Sequence, residues 1–143
     1  MDKSDILNLF KGRIGIQNMN SIDYESKWVE IDLDAMAHNM RSIRKKTGAE
    51  RRIAAVVKAN AYGHGVAGVI QTLLDNGADQ FAVAVLNEAL ELRRIVPEKD
   101  ILVLGNIPYG SEEISIKAGI QHTVTSYEKA KLLSDVAVRL GET

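Results

Sequence analysis

The sequence contains no cysteine, so disulfides, thiolate zinc sites and cysteine nucleophiles are excluded. The same absence fits a reducing compartment. There is no excess of charge either. Eighteen basic residues face nineteen acidic ones, and the formal net charge is −1. That gives no electrostatic basis for a nucleic-acid or acidic-membrane partner. Long apolar runs are missing. Ile53 to Val57, Phe81 to Leu86 and Ile101 to Leu104 are short, and a spanning helix requires about 20 apolar residues. The start does not resemble a signal peptide. Asp2, Lys3, Ser4 and Asp5 are no basic opening, and the cluster Ile6, Leu7, Leu9 and Phe10 stops at Lys11 and Gly12. A cytoplasmic protein without a metal site is expected. What remains is an ordinary globular mixture, 45% hydrophobic and 26% charged over 143 residues, enough for one modest domain with a core.

Residues 1–27 differ from the rest. Ser4 can cap a short helix, but residues 12–27 have no clear period, and the stretch reads as an N-terminal extension. From Trp28 the pattern sharpens. Val29, Ile31 and Leu33 alternate with Glu30 and Asp32, which predicts a half-buried strand. Asp34 then caps a helix carrying Met36, Met40 and Ile43. After Gly48 a unit recurs, a short apolar strand followed by an amphipathic helix. The strands are expected at Ile53 to Ala59, Phe81 to Val85, Ile101 to Leu104 and Thr123 to Thr125. Val66 to Leu74 forms the first of these helices and stops at Gly77. Asn87 caps the next, which Pro97 ends. Ser111 caps a short third one, closed by Gly119. Ser126 opens the last, with Gly141 as its stop. Continuous apolar strands predict burial on both faces, hence parallel strands with helical crossovers. The fold class is α/β, either a doubly wound sheet or part of a β/α barrel. A whole barrel takes about 250 residues, so four units make roughly half of one.

Lys58 stands at the end of the first of those strands. In parallel α/β folds, active sites lie at the C-terminal ends of the strands. Burial lowers the pKa of a lysine, and a neutral amine is the form that condenses with an aldehyde. On position alone, a lysine snorkelling from a strand end is the simpler explanation. Gly63, Gly65 and Gly68 also spell G-x-G-x-x-G, with Glu88 twenty residues further on. A dinucleotide turn follows its strand directly, however, whereas Lys58, Asn60 and Tyr62 intervene here. Glu88 is simpler as a first-turn acid favoured by the helix dipole, paired with Arg93 on the helix surface.

The run Val57-Lys58-Ala59-Asn60-Ala61-Tyr62-Gly63-His64-Gly65 closely resembles the cofactor-lysine signature of alanine racemases. Glu30 to Ala35 resembles that family's opening strand. Phe81 to Val85 with Glu88-Ala89-Leu90 resembles its second barrel strand and helix, and Ile101 to Gly105 its third strand. The resemblance runs from about Trp28 to the C-terminus. It implies residues 28–143 as the first four βα units of a partial (β/α)8 TIM-type barrel, with the family's C-terminal β-domain absent.

The resemblance further implies a pyridoxal 5'-phosphate enzyme that interconverts L- and D-alanine, the latter a peptidoglycan precursor. Lys58 would hold the cofactor through an imine link and serve as the base for one face of the substrate. Tyr62 would donate its hydroxyl to the cofactor phosphate. Leu104 would touch the cofactor ring, a position that core packing also explains. Asn60, His64, Gly63 and Gly65 belong to the signature without an assigned contact, and His38 and His122 are taken as structural. In the family the second base is a tyrosine from a partner subunit, so the full-length protein is expected to be a homodimer. Tyr24, Tyr109 and Tyr127 lack that context. The segment alone is therefore expected to be inactive, with raw edges at its first and fourth strands that invite association. The alternatives are a serine or broad-specificity racemase, a decarboxylase or aldolase of the same fold, and a non-catalytic cofactor-binding piece.

Overall fold

The computed structural model describes residues 29–142. The helix expected after Ser4 lies outside the described residues. The first described element is helix α1, Leu33–Thr47. It is capped by Asp32, whose carboxylate accepts from the Ala35 amide at 3.0 Å. The strand expected over residues 29–33 is not formed, and the cap is Asp32 rather than Asp34. Leu33, Met36 and Met40 recur at helical spacing, and a capped helix satisfies amides that a lone strand leaves open.

Four βα units follow. Strands β1 (Ala54–Val56), β2 (Gln80–Val83), β3 (Ile101–Val103) and β4 (Ile120–His122) form one parallel sheet in the order β1-β2-β3-β4. Helices α2 (Val66–Asp75), α3 (Leu86–Ile95), α4 (Glu112–Lys117) and α5 (Tyr127–Leu140) alternate with them. A doubly wound sheet reverses its strand order at a switch point. This sheet does not, and right-handed crossovers in strict sequence put every helix on the same face. The structure is therefore a partial α/β barrel.

Several element bounds and caps differ from the sequence pattern. The first strand ends at Val56, three residues before Ala59. The fourth is Ile120–His122, because Thr123 already turns its amide and hydroxyl onto the Val103 carbonyl. The residue before α3 is Val85, and Asn87 lies inside the helix. Ser111 precedes α4 as expected, but its hydroxyl donates to the Pro108 carbonyl instead of capping the helix.

The core lies between the sheet and its helices. Val57, Phe81, Val83, Ile101, Val103 and Ile120 pack from the strands against Val69, Ile70, Ala89, Leu92 and Leu133 from the helices. Residues alternate between faces along a strand. The opposite face therefore carries Val56, Ala82, Leu102 and Gln121, which are in register across all four strands. Among the described residues no helix covers that face, and Val56 is 41% exposed. The expectation of burial on both faces holds at β2, where Phe81, Ala82 and Val83 are all buried, and fails at the edge strand β1. The strands read as continuous apolar runs because the uncovered face is itself largely apolar.

Candidate active site

The uncovered face leads directly to Lys58. The register Val56↔Ala82↔Leu102, carried two residues on, sets Lys58, Ala84 and Leu104 on one level at the C-terminal end of the sheet. Lys58 opens a single helical turn, Lys58–Tyr62, rather than ending a strand. The turn is wound left-handed. Ala59 has φ 51° and ψ 48°, Asn60 54° and 49°, Ala61 56° and 46°, and Tyr62 has φ 54°. Left-handed winding costs an L-residue with a Cβ about 1–2 kcal/mol, and asparagine tolerates it best. Gly63, at φ 83°, ends the turn without that cost.

Hydrogen bonds hold this winding. The amides of Ala61 and Gly63 donate to the carbonyls of Val57 and Ala59, and Gly65 donates to Asn60. The Asn60 side chain accepts from the Val66 amide at 2.8 Å and so caps α2 from five residues before its N-cap. Glu88 acts from α3. One carboxylate oxygen accepts from the Ala59 amide at 2.6 Å. The other accepts from Ala84 at 2.8 Å and Val85 at 3.3 Å. Burial pushes the Glu88 pKa up, but those three amides and the Lys58 charge together hold it below the usual carboxylate range.

The expected surface pair of Glu88 and Arg93 is not formed. Arg93 instead donates to the carbonyls of Val96, Pro97, Lys99, Ala118 and Gly119, tying α3 to the end of α4. Glu88 and Asn60 are the site residues that the sequence pattern did not reveal. Glu88 stands in the first turn of a helix and Asn60 inside the signature, yet their partners lie 29 and six positions away.

The turn brings Lys58 and Tyr62 together, with the ammonium 5.8 Å from the ring centroid. Lys58 is half-buried, and the Tyr62 side chain is 59% exposed. Leu104 stands across β2 from them. Its amide donates to Val83, and the next amide, Gly105, donates to Ala84. A Cβ on Gly105 would lie 2.7 Å from the Ala84 carbonyl oxygen, so only glycine permits this approach. The Leu104 side chain is 43% exposed and takes no part in the buried core. His64 is turned to a cleft of about 360 Å³ that also involves Asp32, Asn39 and Leu73. An amine and a phenol beside it, with an exposed apolar side chain two strands away, thus lie at the same end of the sheet.

A second lysine lies at the same end of the sheet. Lys129, in the first turn of α5, is buried and donates to Glu112 at 2.5 Å, with the Tyr109 ring 4.5 Å from its nitrogen. Burial pushes the Glu112 pKa up, but the hydrogen bonds from Lys129 and the Gly110 amide hold it below its usual range. His122 adjoins this pair. Its Nε2 is buried without a hydrogen-bond partner, and burial, reinforced by the Lys129 charge, lowers its pKa. No group of residues suited to a metal ion occurs among the described residues, and no described helix is long and apolar enough to cross a membrane.

A family model described as the alanine racemase N-terminal domain matches residues 31–143. An alanine racemase of Clostridium tetani is 53% identical over 112 residues, which cover 78% of this chain and 29% of that protein. One from Clostridium perfringens is 50% identical over 115 residues, 80% of this chain and 30% of that protein. Among solved structures, an alanine racemase of Bacillus anthracis with bound L-Ala-P superposes with a TM-score of 0.73 at 37% identity. That match covers 81% of this chain and 30% of that one. The enzyme of Clostridium difficile gives a TM-score of 0.74 at 38% identity over 79% and 30%. The chain spans about 30% of the length of the relatives it matches.

Proposed function

As this chain belongs to the alanine racemase N-terminal-domain family, we propose that it forms the cofactor-bearing part of a pyridoxal-phosphate-dependent racemase that interconverts L- and D-alanine. One observation carries the reading. Lys58 is presented at the end of β1, on the uncovered face, by a left-handed turn that sets Tyr62 beside it. The residues present suit the cofactor. A primary amine can bind its aldehyde, a phenol can donate to its phosphate, and the half-exposed Leu104 can meet its ring. When bound, the cofactor supplies an electron sink that makes the α-hydrogen of an amino acid acidic.

The chain's own part is positional and acid–base. Lys58 would hold the cofactor and then, with its Nζ free, take or return the α-proton on one face. Tyr62 would fix the phosphate end. Glu88 and Asn60 keep the turn in place through backbone amides. Inversion requires a second acid–base group on the opposite face. Tyr109 stacks on Lys129, and Tyr127 is exposed on the opening turn of α5. We therefore assign the second group to a tyrosine of a partner subunit in a homodimer, as the family implies. An amino-acid racemase drawing on free alanine works in the cytoplasm, the compartment proposed here. Residues 28–143 are read as the barrel portion and 1–27 as an extension, supported by a family match that begins at residue 31. The relatives' names favour alanine over serine as substrate.

The test is spectroscopic. Protein mixed with pyridoxal 5'-phosphate should gain a visible absorption band that borohydride removes, with the label retained on the Lys58 peptide. Lys58→Ala should show no band. Equal spectra from wild type and variant would defeat the assignment.

A further inference from the structure

We propose that Glu88 is a positioning residue for Lys58: its carboxylate pins the amide that follows Lys58 to the end of β2 and thereby holds the Lys58–Tyr62 turn in its left-handed winding. The inference deepens the proposed function and rests on it for its purpose, though its geometry stands alone. The Ala59 N–H belongs to the peptide plane that begins at the Lys58 carbonyl. Fixing that plane fixes the backbone torsion through which Lys58 leaves β1. Glu88 Oε1 holds it at 2.6 Å, while Oε2 takes the amides of Ala84 and Val85. One carboxylate thus joins the turn after β1 to the strand end beside it. An ordinary cap of α3 would need only the second set of bonds.

The arrangement also divides labour around the charge. Each hydrogen bond of Glu88 goes to a backbone amide and none to the Lys58 ammonium. The carboxylate therefore orders the lysine's backbone and leaves its nitrogen open on the uncovered face. Glutamine supplies one acceptor where glutamate has two, and its NH2 would then face donors. Glu88→Gln keeps the side chain's size and breaks one side of the clamp.

One readout on the full chain needs no cofactor: amide hydrogen exchange over residues 59–65, with exchange over α3 as the reference. Glu88→Gln should speed exchange over 59–65 at least tenfold.

Val85→Ser in the Glu88→Gln background separates clamp from cap. Serine restores a side-chain cap to α3, so melting and α3 exchange should recover while the fast exchange over 59–65 persists. Exchange over 59–65 unchanged in Glu88→Gln would overturn the proposal, as would its full recovery with Val85→Ser. A wild-type chain that takes no borohydride-trapped pyridoxal 5'-phosphate at Lys58 would defeat the functional reading alone, since the exchange would still decide the role of Glu88.

Discussion

Two groups of lysine, tyrosine and glutamate stand at the C-terminal end of the sheet, and their wiring is opposite. Around β4, Lys129 is buried, bonded to Glu112 at 2.5 Å and covered by Tyr109 at 4.5 Å. Its charge is consumed by its neighbours. After β1, Lys58 is half-buried, Tyr62 stands off at 5.8 Å, and Glu88 spends its hydrogen bonds on backbone amides. The same three residue types make a structural pin in one place and a presented amine in the other. What differs is whether the carboxylate grips the ammonium or the chain that carries it.

The largest expected effect tests the pin. Lys129→Ala leaves Glu112 buried without its partner and should cost about 3 kcal/mol in urea unfolding. A variant as stable as wild type would break the contrast. Mild acid gives a smaller effect. The folded-state pKa of His122 lies below its ordinary 6.5, so the unfolded chain binds more protons, and stability falls as pH drops below about 6.5. The loss should vanish in His122→Leu. Further acid, below the usual 4.5 of glutamate, then removes the contribution of Glu112, whose folded pKa is also lowered.

The presented amine predicts different behaviour. Ala59→Gly relieves a left-handed alanine at φ 51° and should stabilise the chain by about 0.5–1 kcal/mol, after allowance for the added freedom of the unfolded chain. A loss of stability would mean that the turn is not strained. Lys58→Ala should change urea stability least, by under about 0.5 kcal/mol, while abolishing the cofactor band. A large loss would move Lys58 into the structural class with Lys129.

The sequence carried the helices well, and the signature best. Ser126 and Gly141 bound α5 as expected, and α2 spans the apolar stripe from Val66 to Leu74. The strands were less legible. Val29, Ile31 and Leu33 alternate convincingly, yet Asp32 found more use as a helix cap. Thr123 to Thr125 has strand-forming residues, but the ladder runs through Gln121 and His122 instead. Lys58 and Tyr62 could be named from their neighbours in sequence. The winding that joins them could not, because Ala59, Asn60, Ala61 and Tyr62 include no glycine to announce positive φ. Glu88 is the first-turn acid that was expected, but its bond to the turn after β1 was missed for a related reason. A first-turn acid is commonplace, and its bond to Ala59 crosses 29 residues.

The left-handed turn has a consequence for chemical synthesis. A stretch strained for L-residues is relaxed for their mirror images, which favour positive φ for the same steric reason. Ala59 and Ala61, at φ 51° and 56°, are therefore places where a semisynthetic chain could carry D-alanine and gain rigidity beside Lys58. Incorporated at an ordinary helical position such as Ala89, fully buried in α3, the same D-residue would disrupt the fold. A chirality scan by peptide ligation would thus map, residue by residue, where this backbone runs against the handedness of its own building blocks.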